Sequence, residues 1–261
     1  MSDRGKPAVS ENRTGRRDSL CRLINPTDCI KPIDNFPEVC ISTFSKNIID
    51  KFISLNSVQK IAELYTANGV NPVYKINYKG KEIAFYLSLV GAAACVSGLE
   101  EIIALGAKKI ILFGSCGILN DSVKDKIIIP TSAVRDEGTS YHYIPANQEL
   151  SVNPKYINTL ISCLDKYDCP YVTGKSWTTD GIYRETLGII NDRKAQGCIT
   201  VELEFSAALA VCTFRNIPFL QFLYGADCLD NDTWDIRDLC EYGLSKAEQL
   251  MFLALECGIA L

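Results

Sequence analysis

The sequence has one histidine, His142, and no two of its 12 cysteines stand at Cys-x-x-Cys spacing. A zinc site is therefore not expected, and neither is any other metal centre. A Ser-His-Asp hydrolase would rest wholly on His142. No Gly-x-Ser-x-Gly elbow is present: Gly114-Ser115-Cys116-Gly117 is one residue short of it. There is no P-loop and no internal repeat. No apolar run approaches the roughly 20 residues that a membrane span needs. Positive charge is also scarce, with 27 Lys and Arg against 31 Asp and Glu and a net charge of −4. That balance leaves no basic footprint, so neither nucleic acid nor membrane is an expected partner. The first residues lack the apolar core of a secretory signal. The expectation is a cytoplasmic protein with reduced thiols, most of them acting as small hydrophobes.

What remains is an ordinary globular composition, 47% hydrophobic and 22% charged over 261 residues, with ample length for a core. Residues 1–36 read as a flexible N-terminal arm. Arg4, Lys6, Arg13, Arg16, Arg17 and Arg22 are mixed there with Ser, Asn, Asp and Pro, without an apolar period. Residues 37–261 read as one domain. Strands are predicted over 38–43, 73–78, 82–90, 108–113, 126–131, 171–179, 198–201 and 218–224. Lys79-Gly80 should turn a hairpin. Helices are predicted through Ile48, Ile49, Phe52 and Ile53, over 92–105 with Gly106 as its stop, from Pro154, up to about 196, over 204–214 and over 235–257. The alternation gives an α/β fold with a largely parallel sheet.

Chemistry concentrates at a few strand ends. In the stretch 199–210, Glu202 and Glu204 interrupt an apolar run that becomes an alanine-rich helix. Open α/β sheets bind ligands at such ends, and a buried carboxylate needs a partner. The paired hydroxyls of a sugar would serve. Acids favoured by the dipole of the helix's first turn are the other reading. Gly114-Ser115-Cys116-Gly117 follows a buried strand and can present N–H groups and a hydroxyl to an anion. Residues 135–143 form a loop rich in hydrogen-bonding groups, and loops carry function.

Four pieces stand in one order: Gly114-Ser115-Cys116-Gly117; Asp136-Glu137-Gly138-Thr139-Ser140-Tyr141-His142-Tyr143; Thr178-Thr179-Asp180-Gly181-Ile182-Tyr183-Arg184-Glu185-Thr186; and Val201-Glu202-Leu203-Glu204. Asp227 then follows a strand. Together they resemble the nucleoside phosphorylase superfamily of purine nucleoside and uridine phosphorylases, over about 38–230.

The resemblance implies a single-domain, three-layer α/β fold with a distorted mixed sheet flanked by helices, associated as a homodimer or a hexamer (a trimer of dimers). It implies cleavage of a nucleoside with inorganic phosphate as co-substrate and no other cofactor. By that resemblance Glu204 holds the sugar hydroxyls and Leu203 packs on the ring. Glu202 and Tyr183 lie near sugar or base, His142 reaches a neighbouring subunit's sugar, and Asp227 is the general acid. Gly114 and Ser115 would bind phosphate, with Lys46, Arg135 and Arg184 as the candidate cations.

The sequence departs from the family at two phosphate-binding positions, and Thr186 and Gly188 stand where uridine phosphorylases have a uracil-reading Gln-x-Arg. The family's Gly-Asp-Pro-x-Arg stretch is Ser42-Thr43-Phe44-Ser45-Lys46 here, and its second phosphate arginine is replaced by Leu112. A guanidinium fork is not replaced by lysine without loss. A nucleosidase using water and a non-catalytic nucleoside-binding protein are the alternatives.

Overall fold

The computed structural model describes residues 23–261 other than 68, 147–149, 232 and 242. In chain order the elements are α1 (Pro26–Cys29), β1 (Val39–Thr43), α2 (Lys46–Leu55), β2 (Gln59–Thr66), β3 (Gly69–Tyr78), β4 (Lys81–Leu87), α3 (Ala92–Leu105), β5 (Lys109–Ile118), β6 (Ile127–Asp136), β7 (Leu150–Ser151), α4 (Pro154–Lys166), β8 (Tyr171–Thr179), α5 (Leu187–Ala195), β9 (Cys198–Glu202), α6 (Phe205–Arg215), β10 (Phe219–Cys228) and α7 (Ala247–Ala260).

Local chemistry accounts for most of these boundaries. The Ser45 hydroxyl caps α2 by accepting the Ile48 N–H at 3.3 Å, and Ile48, Ile49 and Phe52 form its buried stripe. Pro154 opens α4 behind an Asn153 cap. Lys79 and Gly80 both have positive φ, 50° and 81°, as a two-residue hairpin between right-twisted strands requires.

The strands form one mixed sheet in the order β10-β6-β8-β9-β5-β1-β4-β3-β2, with β7 beside β6. β10 also pairs with β5. One end of the sheet therefore rolls into a closed ring of β5, β9, β8, β6 and β10, while β1, β4, β3 and β2 extend from it as an open wing. Helices cover both faces, giving three layers. α3 and α6 pack on one side through Leu99, Ile102, Ala208 and Cys212. α2, α4 and α7 pack on the other around Phe113 and Phe222, whose rings stack at 5.1 Å. Every cysteine among the described residues is a free thiol. No described helix is long and apolar enough to cross a membrane.

Four expectations need correction. The packed domain begins before residue 37. Phe36 is buried and Ile30 and Ile33 lie against the α3 side of the core, where the Ile33 N–H donates to the Leu105 carbonyl at 2.9 Å; the expected arm at 1–22 lies outside the described residues. β2, not anticipated, is an edge strand with mostly exposed or half-buried side chains, so it carries little apolar signal. No single helix spans 235–257: short turns occupy Leu239–Glu241 and Leu244–Lys246, and α7 starts at Ala247. Gly243 interrupts the run at φ 73°, where any Cβ would strike the Tyr224 hydroxyl. Finally, β5 and β10 run past their expected ends, so Gly114-Ser115-Cys116-Gly117 lies within β5 and is not a turn after it.

Candidate functional site

A cavity of about 500 Å³ opens where β5, β9 and β10 end. Its position follows from the sheet: β5 leaves β1 after Phe113 and pairs with β9 at Gly117 and Ile118. Glycine at 117 leaves room for the side chains of Leu229 and Val201, which a Cβ there would meet at 2.5 Å and 2.9 Å.

The β9–α6 corner supplies two carboxyls with different duties. Glu202 is buried, and each of its oxygens accepts two hydrogen bonds. Oε2 takes the N–H groups of Glu204 at 2.7 Å and Phe205 at 2.6 Å. Oε1 takes the hydroxyls of Thr178 at 2.6 Å and Ser176 at 3.2 Å. Burial raises its pKa while these four donors pull it down. Glu202 thus fixes the first turn of α6, though it also borders the cavity. Glu204 is 6% exposed and accepts the Gly91 N–H at 2.6 Å. Burial, and then the neighbouring Glu202, push its carboxyl up to about 8. It lines the cavity together with Leu203 and Val90.

The opposite wall belongs to β10. A bulge between Gly225 and Asp227 re-aims the strand at the cavity. Asp227 accepts the Trp234 indole N–H at 2.7 Å. Burial raises its pKa, opposed by that hydrogen bond. Glu185 lines the same cavity, pushed up to about 7 by burial and then by Asp227. Tyr183, 95% exposed, stands at the mouth.

Of the residues singled out by sequence, the cavity brings together Ser115, Tyr183, Glu202, Leu203, Glu204 and Asp227. The others lie outside its lining. Gly114 is covered by the Phe44 ring, whose nearest atom lies 2.7 Å from where a Cβ would be. Lys46 pairs with Asp50 on the exposed side of α2. Arg135 does not reach an anion site: its guanidinium donates to the Ser140 hydroxyl and to the carbonyls of Pro145 and Ile144 at 2.8–2.9 Å, and it stacks on Tyr141. Arg184 and His142 are exposed, in single helical turns.

The loop at 136–143 acts as a clamp. Asp136 accepts from Trp177 and Arg193, and Glu137 accepts from the Ser140 N–H and the Ser206 hydroxyl. Phe44, Glu185 and Trp234 were not foreseen as site residues. Glu185 sits two residues after Tyr183, so the motif did contain it. Trp234, seven residues beyond Asp227, left no periodic signal. Among the described residues no cluster of metal-ligating side chains occurs.

Known proteins share the fold and part of the sequence. The chain is 26% identical over 170 residues to the purine nucleoside phosphorylase of Plasmodium falciparum, spanning 62% of this chain and 69% of that one. The fold matches a uridine phosphorylase from Vibrio fischeri with a TM-score of 0.76, at 20% identity over 90% of this chain and 99% of that one. It also matches a purine nucleoside phosphorylase from Toxoplasma gondii, solved with immucillin-H, with a TM-score of 0.72 at 18% identity over 90% and 92% of the two chains. The sequence profile of the Phosphorylase superfamily matches residues 46–254. That match runs from the first residue of α2 into α7 and takes in β5, β9 and β10, whose ends build the cavity: the chain belongs to the phosphorylase superfamily.

Proposed function

We propose that the protein cleaves the N-glycosidic bond of a nucleoside, passing the ribosyl group from the base to an acceptor. One observation carries the reading. Two carboxyls whose pKa burial raises, Glu204 at the start of α6 and Asp227 on β10, line a single cavity. Val90, Ile190, Val201 and Leu203 give it apolar wall for a flat base and a sugar ring.

The chemistry follows from that placement. Sugar hydroxyls donating to Glu204 favour its ionised form. Its charge then offsets the positive charge that grows on the ring as the bond to the base stretches. Asp227 gives its proton to the departing base nitrogen, and the Trp234 indole holds one of its oxygens in place. His142 and Arg184 serve this chain's own site only through a movement or a neighbouring subunit. The apolar residues exposed at the mouth, Val90, Ile182, Tyr183 and Leu187, support association of copies there. We place the protein in the cytoplasm, as a homodimer or hexamer.

The test is a panel of purine and pyrimidine nucleosides scored for free base. Release from at least one, lost in Glu204→Gln, is expected. Binding of nucleosides without release from any would make the protein a binding module instead.

A further inference from the structure

Resting on that reading, we propose that the acceptor end of the cavity is built for a neutral nucleophile: water takes the ribosyl group, and Phe44 is the residue that keeps inorganic anions out.

The acceptor must approach the sugar from the side away from the base. The base end is marked by Asp227 and Trp234 on β10. The other end lies where β1 and β4 finish. There the Ser88 N–H donates to the Thr43 carbonyl at 2.8 Å and the Gly91 N–H to Glu204, so Phe44, the segment 88–91 and Glu204 form one wall. Phe44 lays its ring on the backbone of Gly114. An aromatic face thus covers the strand segment where backbone N–H groups could have met an anion.

Charge points the same way. Glu185, Glu202, Glu204 and Asp227 line the cavity, and among the described residues no Lys or Arg does. Inorganic phosphate carries more than one negative charge at neutral pH and would find no Lys or Arg among those lining residues to offset it. Two of the candidate cations are committed elsewhere, Arg135 to the 140–145 loop and Lys46 to Asp50, while Arg184, between the lining residues Tyr183 and Glu185, is exposed outside the lining. Ser115, the polar residue next to Gly114, is exposed in the cavity and neutral. It suits a water molecule as donor and acceptor.

The step balances without a further reactant. The bond from the sugar's anomeric carbon to the base nitrogen breaks and a bond from that carbon to the water oxygen forms. One water proton goes to the Glu204 carboxylate, and the Asp227 proton goes to the base. Nucleoside and water become free sugar and free base, with no change of oxidation state, and Asp227 regains its proton through solvent from Glu204.

The full chain, purified without phosphate, tests this with the best nucleoside of the panel. Base release should be unchanged within about twofold by millimolar phosphate. In ¹⁸O-labelled water the label should appear on the sugar, and no sugar phosphate should form. Calorimetric titration of the nucleoside-loaded protein with inorganic phosphate should show no binding, whereas Phe44→Ala should bind it measurably, with a Kd of about 1 mM or tighter. A sugar phosphate product, or base release that needs phosphate, would overturn the water reading and leave glycosidic cleavage standing. So would a phosphate requirement that Arg184→Met abolishes. If no nucleoside yields base under either condition, glycosidic cleavage itself falls. The titration then still judges the anion exclusion, which measurable wild-type phosphate binding would sink.

Discussion

Under the proposed function, catalysis and stability pull against each other at Glu204. In the unfolded chain its carboxyl titrates near 4.5, and in the folded protein near 8. A raised pKa means that its contribution to stability is fully present below about 4.5 and is lost as pH rises through 8. Glu204→Gln should therefore melt a few degrees above wild type at pH 8.5, with the gap closing towards pH 5. The same substitution should lower kcat/KM by roughly 10²-fold or more, since it removes the anion that supports the transition state. Calorimetry and kinetics on one variant check both. Trp234 offers a second residue-scale test. Its indole hydrogen bond lowers the Asp227 pKa, and its side chain is largely exposed. Trp234→Phe should leave the melting temperature nearly unchanged and shift the alkaline limb of the kcat/KM profile to higher pH. A profile that does not move would detach Asp227 from proton transfer. Glu204 stood out in the sequence as an acid interrupting an apolar run, and Asp227 through the family resemblance. Trp234 did not, since what makes it matter is a loop returning to β10.

At the scale of elements, the β9–α6 corner explains why two glutamates two residues apart are not equivalent. Glu202 accepts four hydrogen bonds, and an amide has only one oxygen with which to replace two. Glu202→Gln should cost about 1–3 kcal/mol in urea unfolding, the opposite sign to Glu204→Gln at alkaline pH. Equal effects of the two substitutions would refute this division of labour. From sequence both readings of the pair stood open, sugar partner or first-turn acid. The structure assigns the second to Glu202. Helices with strong end signals, such as α3 with Gly106 behind it and α6, were readable within a residue or two. The region 235–246 was not. Ile236 and Leu239 kept a helical period there, but Gly243 sits against Tyr224 with positive φ, a tertiary constraint that no local pattern reveals.

Across the whole molecule, a single carboxylate ties three distant elements together. Glu256 on α7 accepts from Tyr78 and Lys79 at the β3–β4 hairpin and from Lys166 and Tyr167 at the end of α4. Burial alone would raise its pKa, but the four donors hold it down at about 2. A depressed pKa supplies stability above about 4.5 that is lost as pH falls towards 2. Glu256→Gln should therefore destabilise the protein at pH 7 and make unfolding less dependent on acid between pH 5 and 3, followed by circular dichroism. An unchanged acid transition would remove Glu256 from that role. The α/β class was visible in the alternation of periods, and the three layers were what the family resemblance implied. Ring closure was not visible, because it depends on β10 finding both β5 and β6.

That closure has a consequence for how the chain comes to be made. Cys116 on β5 and Tyr224 on β10 meet across 108 positions of sequence. A chain leaving the ribosome in order has β5, β6, β8 and β9 in hand well before β10 exists. Until it does, β5 shows an open edge and the cavity lacks the wall that bears Asp227. Pairings of such long separation form late and leave strand edges exposed meanwhile. Nascent chains stalled short of residue 228 should therefore be the aggregation-prone form of this protein, and enzymatic competence should arrive all at once near the end of synthesis.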